Sequence, residues 1–415
     1  MKNIFHDLKS FLILWITQSF SALGSAMTNF ALVIWIYQKS GSALTTAMLA
    51  VCSYAPYVIM SIFAGAVSDK WNKKTIMLVC DSFAGICTVI IMILLKNDCL
   101  QVWHLYIINS LNGLMNTVQQ PASDVALTLL VSEKYYQKTS GLRSLSNSLV
   151  NVLTPVFASA IMAFAGIEAV IISDLVTFSI AFVVLLFFIE IPEIKKESTK
   201  TESISQSVRN GFLWLNRNKG ILWLMLFLSA INFIASIYES ALPVMILSKS
   251  SEKVLGAVNS CVGIATLIGS IIVTFMPEPE NRVKLICNCL FISMSTENFM
   301  LALGKNPVIW CIGAFCGWIC IPLMNANMDV IFRTHIPTDI QGRIYSLRNT
   351  LQFFTIPLGY FTGGFLLDNV FEPFVSGFAG TEKGDGASLL FFVIGIVGVV
   401  ICFVFSRNRH IHKIK

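Results

Sequence analysis

Six carboxylates, Asp81, Asp124, Asp174, Glu239, Glu297 and Asp329, fall inside stretches that are otherwise almost wholly apolar. A charged carboxyl in hydrocarbon is costly, so such a group pairs, holds a cation or takes up a proton. Proton exchange is the chemistry this set makes available. Glu239 is the first candidate, because it continues a row at helical spacing, Ser229, Asn232, Ser236 and Glu239, with Tyr238 and Pro243 close by. Asp81 and Asp124 follow as proton-coupling candidates. Asp124 and Asp329 also lie where Arg143, Arg333 or Arg348 can pair with them, and Asp174 and Glu297 are expected to be structural.

Uncharged polar residues form further rows. Gln18, Ser21, Ser25 and Thr28 share one helical face, as do Asn109, Asn112, Asn116, Gln119 and Ser123. Asn325, Asp329 and Arg333 make a weaker row, and Ser144, Asn147, Asn151 and Thr154 another. Ser and Thr rows also arise from hydrogen bonding between helices, worth about 0.6–2 kcal/mol each. Three asparagines and a glutamine on one face instead call for water or a ligand. A substrate cavity is therefore expected to draw on Gln18, Ser21, Ser25, Asn112, Asn116, Gln119, Asn232, Ser236, Tyr238 and Asn325.

The elements that must carry these residues are long. The chain is 55% hydrophobic and 13% charged over 415 residues, against roughly 25% charged in soluble domains. Residues 11–37, 40–68, 254–277 and 387–406 contain no Asp, Glu, Lys or Arg, and each is long enough to cross a bilayer. Blocks 75–95, 99–132, 139–167, 169–189, 220–248, 285–304, 306–332 and 344–367 each tolerate an isolated charge, which makes twelve spans. No removable signal peptide is expected. With the N-terminus inside, 21 of the 29 basic residues fall in inner segments and six in outer loops, Lys39, Lys96, Lys249, Lys253, Lys305 and Lys383. That bias predicts a multi-pass protein of the plasma membrane with both termini in the cytoplasm, and it accounts for the net charge of +6 without nucleic acid. Most of the eleven cysteines fall inside spans with no CxxC spacing and serve as small apolar side chains. No Walker loop appears and no nucleophile–base pair or metal constellation is seen, so neither an ATP-driven pump nor an enzyme is expected.

The chain also reads as a duplication. Ser144–Pro155, SLSNSLVNVLTP, is matched by Ser346–Pro357, SLRNTLQFFTIP, and Asp124-Val125 by Asp329-Val330. Between the copies, residues 191–219 are polar, and Ile204, Val208, Phe212 and Leu215 recur there as in an interfacial amphipathic helix. The expected architecture is an all-α membrane protein with twelve transmembrane helices in two pseudo-symmetric six-helix halves, 1–190 and 220–415, joined by the cytoplasmic linker 191–219.

Between spans 2 and 3 lies a dense charge knot, GAVSDKWNKKTIM, Gly65–Met77. It resembles the signature loop of the major facilitator superfamily, G-x-x-x-D-[RK]-x-G-[RK]-[RK]. Gly65, Asp69, Lys70, Lys73 and Lys74 match, and Asn72 replaces the second glycine. Trp15, Gln18 and Ser21, the SGSAL of Ser40–Leu44, the MLVCD ending at Asp81 and the QGRIYSL of Gln341–Leu347 resemble the bacterial macrolide-efflux group of that superfamily. Two departures stand out: Asn112 where many relatives carry arginine, and TPVFAS at Thr154–Ser159 in place of a glycine-flanked proline. The resemblance implies the major facilitator fold and alternating access, with proton-driven export of amphipathic, macrolide-like drugs that carry a basic amine. It implies a monomer in the lipid bilayer with no cofactor and a proton gradient as energy source. It also implies a cytoplasmic latch in which Asp69 meets the start of span 11, assisted by Arg343. The alternatives are export of an endogenous metabolite such as a siderophore or peptide, and a non-transporting sensor or scaffold.

Overall fold

The computed structural model describes residues 8–132, 135–192, 204–336, 341–377 and 384–411. Within them, side chains are described except at 62–70, 124, 128, 136–138, 140–141, 144, 204–208, 274, 333, 341–343, 345–346 and 349. Lipid offers the backbone no hydrogen bonds, so a spanning segment must satisfy its own, and the described residues are almost entirely helical.

Five helices precede the linker: α1 (Lys9–Ser40), α2 (Ala43–Lys70), α3 (Lys73–Lys96), α4 (Val102–Leu129) and α5 (Tyr136–Phe188). The last is two spans in one, because Gly166 breaks it at φ 77°, ψ 177°, a backbone that only glycine adopts freely. After the linker come α6 (Ile204–Arg217), α7 (Lys219–Lys249), α8 (Glu252–Phe275), α9 (Arg282–Leu303), α10 (Pro307–Trp318) and α11 (Ile321–His335). They are followed by α12 (Gln341–Phe353), α13 (Thr355–Leu366), a π-helical turn (Leu367–Phe371), α14 (Glu372–Ser376) and α15 (Asp385–Ser406). With α10–α11 and α12–α13 each read as one interrupted span, the chain crosses the membrane twelve times. Among the described residues nine segments are long and apolar enough to cross by composition alone, one of them holding both spans of α5. The spans missing from that set are α4, whose Asn and Gln residues dilute it, and α12–α13, whose first helix is polar. Helix starts follow capping chemistry: Asn72 accepts from the Lys74 and Thr75 amides, Asn281 from Lys284, and Asn306 from Ile309 ahead of Pro307. Asn72 thus has its own role where the signature loop has glycine.

The chain divides into two compact units, Met1–Ser40 with Cys52–Glu197, and Gly41–Val51 with Ser198–Lys415. In the first, Leu14, Met77, Ala126 and Leu185 join α1, α3, α4 and α5 in one apolar cluster. Gly24 of α1 lies so close to Asp174 and Thr177 that a Cβ there would collide with both. In the second unit α7 is the most enclosed span, and Gly359 and Gly363 let α13 press on the backbone of Phe233 and Ile237. The first turns of α2 belong to this unit. Gly41 reverses the chain at φ 63°, and Asp368 in the π-helical turn then accepts from the Ala43 and Leu44 amides, both at 2.9 Å, and from the Ser42 hydroxyl.

The linker helix exists as α6, with Leu215 fully buried, Phe212 about half exposed and Gly211 against Leu347 of α12.

Candidate functional site

The first unit holds a partly open cavity of about 380 Å³. Its walls come from four helices: Gln18, Ser21 and Ser25 of α1, Asp81 and Thr88 of α3, Asn109, Asn112, Asn116, Gln119, Gln120 and Ser123 of α4, and Arg143, Asp174 and Phe178 of α5. Ser53 of α2 closes part of the rim. The helical period places the α1 and α4 rows on inward faces, and the small residues Ala22 and Ala84 leave room between them.

Two carboxylates stand in this cavity with different partners. Asp81 accepts one hydrogen bond from Gln119 Nε2 through Oδ1 and a longer one, 3.5 Å, from Gln18 Nε2 through Oδ2. Asp174 is 3% exposed and accepts from Ser25 Oγ at 3.0 Å. Asn112 Oδ1 is buried with no hydrogen-bond partner among the described residues. An unfilled acceptor beside amide donors and two carboxylates suits a ligand that brings hydroxyl or ammonium donors.

Of the residues singled out from sequence, Gln18, Ser21, Ser25, Asp81, Asn112, Asn116 and Gln119 therefore meet around one cavity. Asp174, expected to be structural, lines the same cavity. Its position is a consequence of the close α1–α5 approach at Gly24, which spacing within a single helix does not reveal.

The α7 row makes its hydrogen bonds within its own unit. Ser229 Oγ donates to the Leu351 carbonyl at 2.8 Å, Asn232 Nδ2 to the Gln352 carbonyl at 3.5 Å, and Ser236 Oγ to its own helix at Asn232. Within the second unit these groups bind backbone carbonyls, as polar side chains in a membrane do when a carbonyl is in reach. Tyr238 is 4% exposed and packs against Phe391 with ring centroids 5.5 Å apart. Glu239 is partly buried and accepts no hydrogen bond among the described residues. Asn325 is exposed on α11. Asp329 pairs with Arg348 at 3.3 Å, one of the pairings its position suggested. Glu297, expected to be structural, is buried and accepts from Trp318 Nε1 at 2.7 Å.

The knot is described only in part. Lys73 Nζ donates to the Trp71 carbonyl and Lys74 Nζ to the Leu186 carbonyl at the end of α5. The surroundings of Gly65, and the side chains of Asp69, Lys70, Arg343 and Asp124, lie outside what is described.

Twelve crossings, with an amide-lined chamber in the first unit, are the build of a membrane transporter. Comparison with known proteins is specific about the kind. Residues 14–360 match the model of the Major Facilitator Superfamily, and the chain belongs to that family. It is 21% identical to Macrolide efflux protein A of Streptococcus pyogenes over 369 residues, 87% of this chain and 90% of that protein. Among solved structures, a mutant of the nucleoside transporter NupG superposes with a TM-score of 0.70 at 13% identity, covering 96% of this chain and 99% of the other. A bacterial homologue of the iron transporter ferroportin in its inward-facing state gives 0.69 at 12% identity, covering 97% and 99%. These structural likenesses establish the fold.

Proposed function

We propose that the chain exports amphipathic, hydrogen-bonding small molecules of the macrolide kind from the cytoplasm, by alternating access driven by a proton gradient. The observation that carries this reading is the cavity of the first unit, where an open amide acceptor, Asn112 Oδ1, stands among amide donors and the carboxylates of Asp81 and Asp174. Macrolides bring sugar hydroxyls and a basic amine, and this cavity offers partners for both. The similarity to macrolide efflux proteins over most of the chain supports the same substrate class. Glu239 is assigned as coupling acid, and the protein acts as a monomer in the plasma membrane with both termini inside. Asp69 and Arg343 are assigned to the cytoplasmic latch.

The amide density of the cavity also suits a polar endogenous metabolite, and one assay decides between the two. Cells expressing the protein should accumulate less of a labelled macrolide than control cells, and an uncoupler should abolish the difference. Equal accumulation in both strains excludes the macrolide reading. A difference that survives the uncoupler excludes the proton gradient.

A further inference from the structure

The cavity of the first unit has two depths. Gln18 of α1 and Gln119 of α4 both donate to Asp81 of α3, which sets these three side chains at one depth. Seven residues further along α1, two helical turns or about 10 Å, comes Ser25. Seven residues before Gln119 on α4 comes Asn112, with Asn116 between them. Two crossings, α2 and α3, separate α1 from α4, so α1 and α4 run in opposite directions and a step forward on one matches a step back on the other. Ser25 and Asn112 therefore share the second depth. Asp174 of α5 joins them there, because Ser25 Oγ donates to it at 3.0 Å and Gly24 lets α1 close on its backbone.

The two depths offer different partners. At the first, Asp81 has an amide donor on each oxygen, so its carboxylate is held in one orientation. At the second, the carboxylate of Asp174 and the open carbonyl of Asn112 are both acceptors, which the hydroxyls of a sugar ring can satisfy. The charged residues described on the wall are Asp81, Asp174 and Arg143. Two acids against one base leave one formal negative charge, which a single cation balances. Phe178 is the only aromatic ring among the described wall residues. A quaternary cation is held by several such rings, whereas a protonated amine brings an N–H that a fixed carboxylate accepts directly. At about 380 Å³ the cavity is near the small end of ligand pockets, about 300–1,000 Å³, and suits the sugars of a glycoside better than a whole macrolide.

We propose that this cavity takes a glycoside at two points about 10 Å apart: its one ammonium group at Asp81, and hydroxyls of a neutral sugar at Asp174 and Asn112. Gln18 and Gln119 are positioning residues that act through Asp81. The proposal rests on the macrolide reading above and adds to it which part of the substrate each carboxylate binds. A macrolide then enters by its amino sugar and its neutral sugar, with the lactone ring towards the open side of the cavity.

The test measures displacement of a labelled macrolide, bearing one amino sugar and one neutral sugar, from the full-length protein purified in detergent. The competitors are the unlabelled macrolide, its N-acyl derivative without the positive charge, and its derivative without the neutral sugar. Wild type should bind the parent roughly tenfold more tightly than either derivative, the worth of one hydrogen bond to a charged group. Asp81→Asn and Gln119→Leu should narrow the gap between the parent and the N-acyl derivative while keeping the gap for the neutral sugar. Asp174→Asn and Asn112→Ala should do the reverse. A variant that only loosens the structure would shift all three competitors alike. Monodisperse elution shows which variants are folded, and the second variant at each depth decides where the first does not fold. A wild type that binds no macrolide overturns the substrate reading, and this site with it. Binding without either gap in wild type, or variants at both depths that change both gaps alike, overturns the two-point site and leaves the substrate reading standing.

Discussion

Asp368 gives the sharpest stability prediction. Its carboxylate accepts from the Ala43 and Leu44 amides, each at 2.9 Å, and from the Ser42 hydroxyl, so it supplies an anion and two hydrogen bonds to the start of α2. Ser42 adds a second acceptor to the same helix end, taking the Thr45 amide at 3.0 Å. Losing a cap of this type costs about 0.5–2 kcal/mol, and losing the negative charge at a helix N-terminus about 0.3–1 more. Asp368→Ala is therefore expected to destabilise by about 2 kcal/mol, and Asp368→Asn, which keeps one acceptor, by about 1. For a unit of about 230 residues, that corresponds to a fall in Tm of about 4–8 °C for alanine and about 2–4 °C for asparagine. Tryptophan fluorescence of the detergent-purified protein follows both. Because Ser42 and Asp368 share the helix end, the double alanine variant should lose less than the sum of the singles. A Tm for Asp368→Ala within about 1 °C of wild type, or an asparagine variant less stable than alanine, would refute the reasoning.

Glu239→Gln should abolish uptake driven by a pH gradient and spare downhill exchange of a neutral substrate; concentrative uptake by the variant would move the coupling role to another acid. Asn112→Ala and Asn116→Ala should change substrate affinity more than Tm, and loss of Tm with unchanged transport per folded molecule would assign both to packing. Asp69→Asn should impair transport and raise cytoplasmic labelling of cysteines placed in the first unit's cavity, whereas normal transport with unchanged labelling would remove the latch.

What the sequence made legible was whatever a single helix can express. The α1 and α4 rows are one-dimensional patterns of period 3.6, and residues so spaced must share a face. They came together around a cavity because three Asn and a Gln on α4 leave few other partners in lipid. The Ser229–Asn232–Ser236 row has the same period and a different outcome, since hydroxyls and amides also satisfy neighbouring carbonyls at Leu351 and Gln352. Nothing in the row itself separates the two. Asp174, Glu297 and Asp368 acquire their surroundings from close helix approaches at Gly24, Gly317 and Gly364, each between residues of different helices. The SGSAL stretch was recognised only as a likeness. Its physical content, a reversal at Gly41 and a cap at Ser42, depends on Asp368 more than 300 residues later.

The partners of each acid also order the acids by what they can do. Asp81 has two amide donors that compensate a full charge, one on each oxygen, and it stands in an open cavity. A carboxylate so held is suited to attract a cation and to keep it oriented. Asp174 accepts from the Ser25 hydroxyl in the same space. Glu297 is buried and accepts from the Trp318 indole, and Glu239 accepts from no group among the described residues. The fewer groups hold a charge in place, the smaller the protein-side cost of neutralising it by protonation. Along that series the carboxyls run from one suited to hold a charged ligand to ones suited to take up a proton. The same series runs from the first unit to the second.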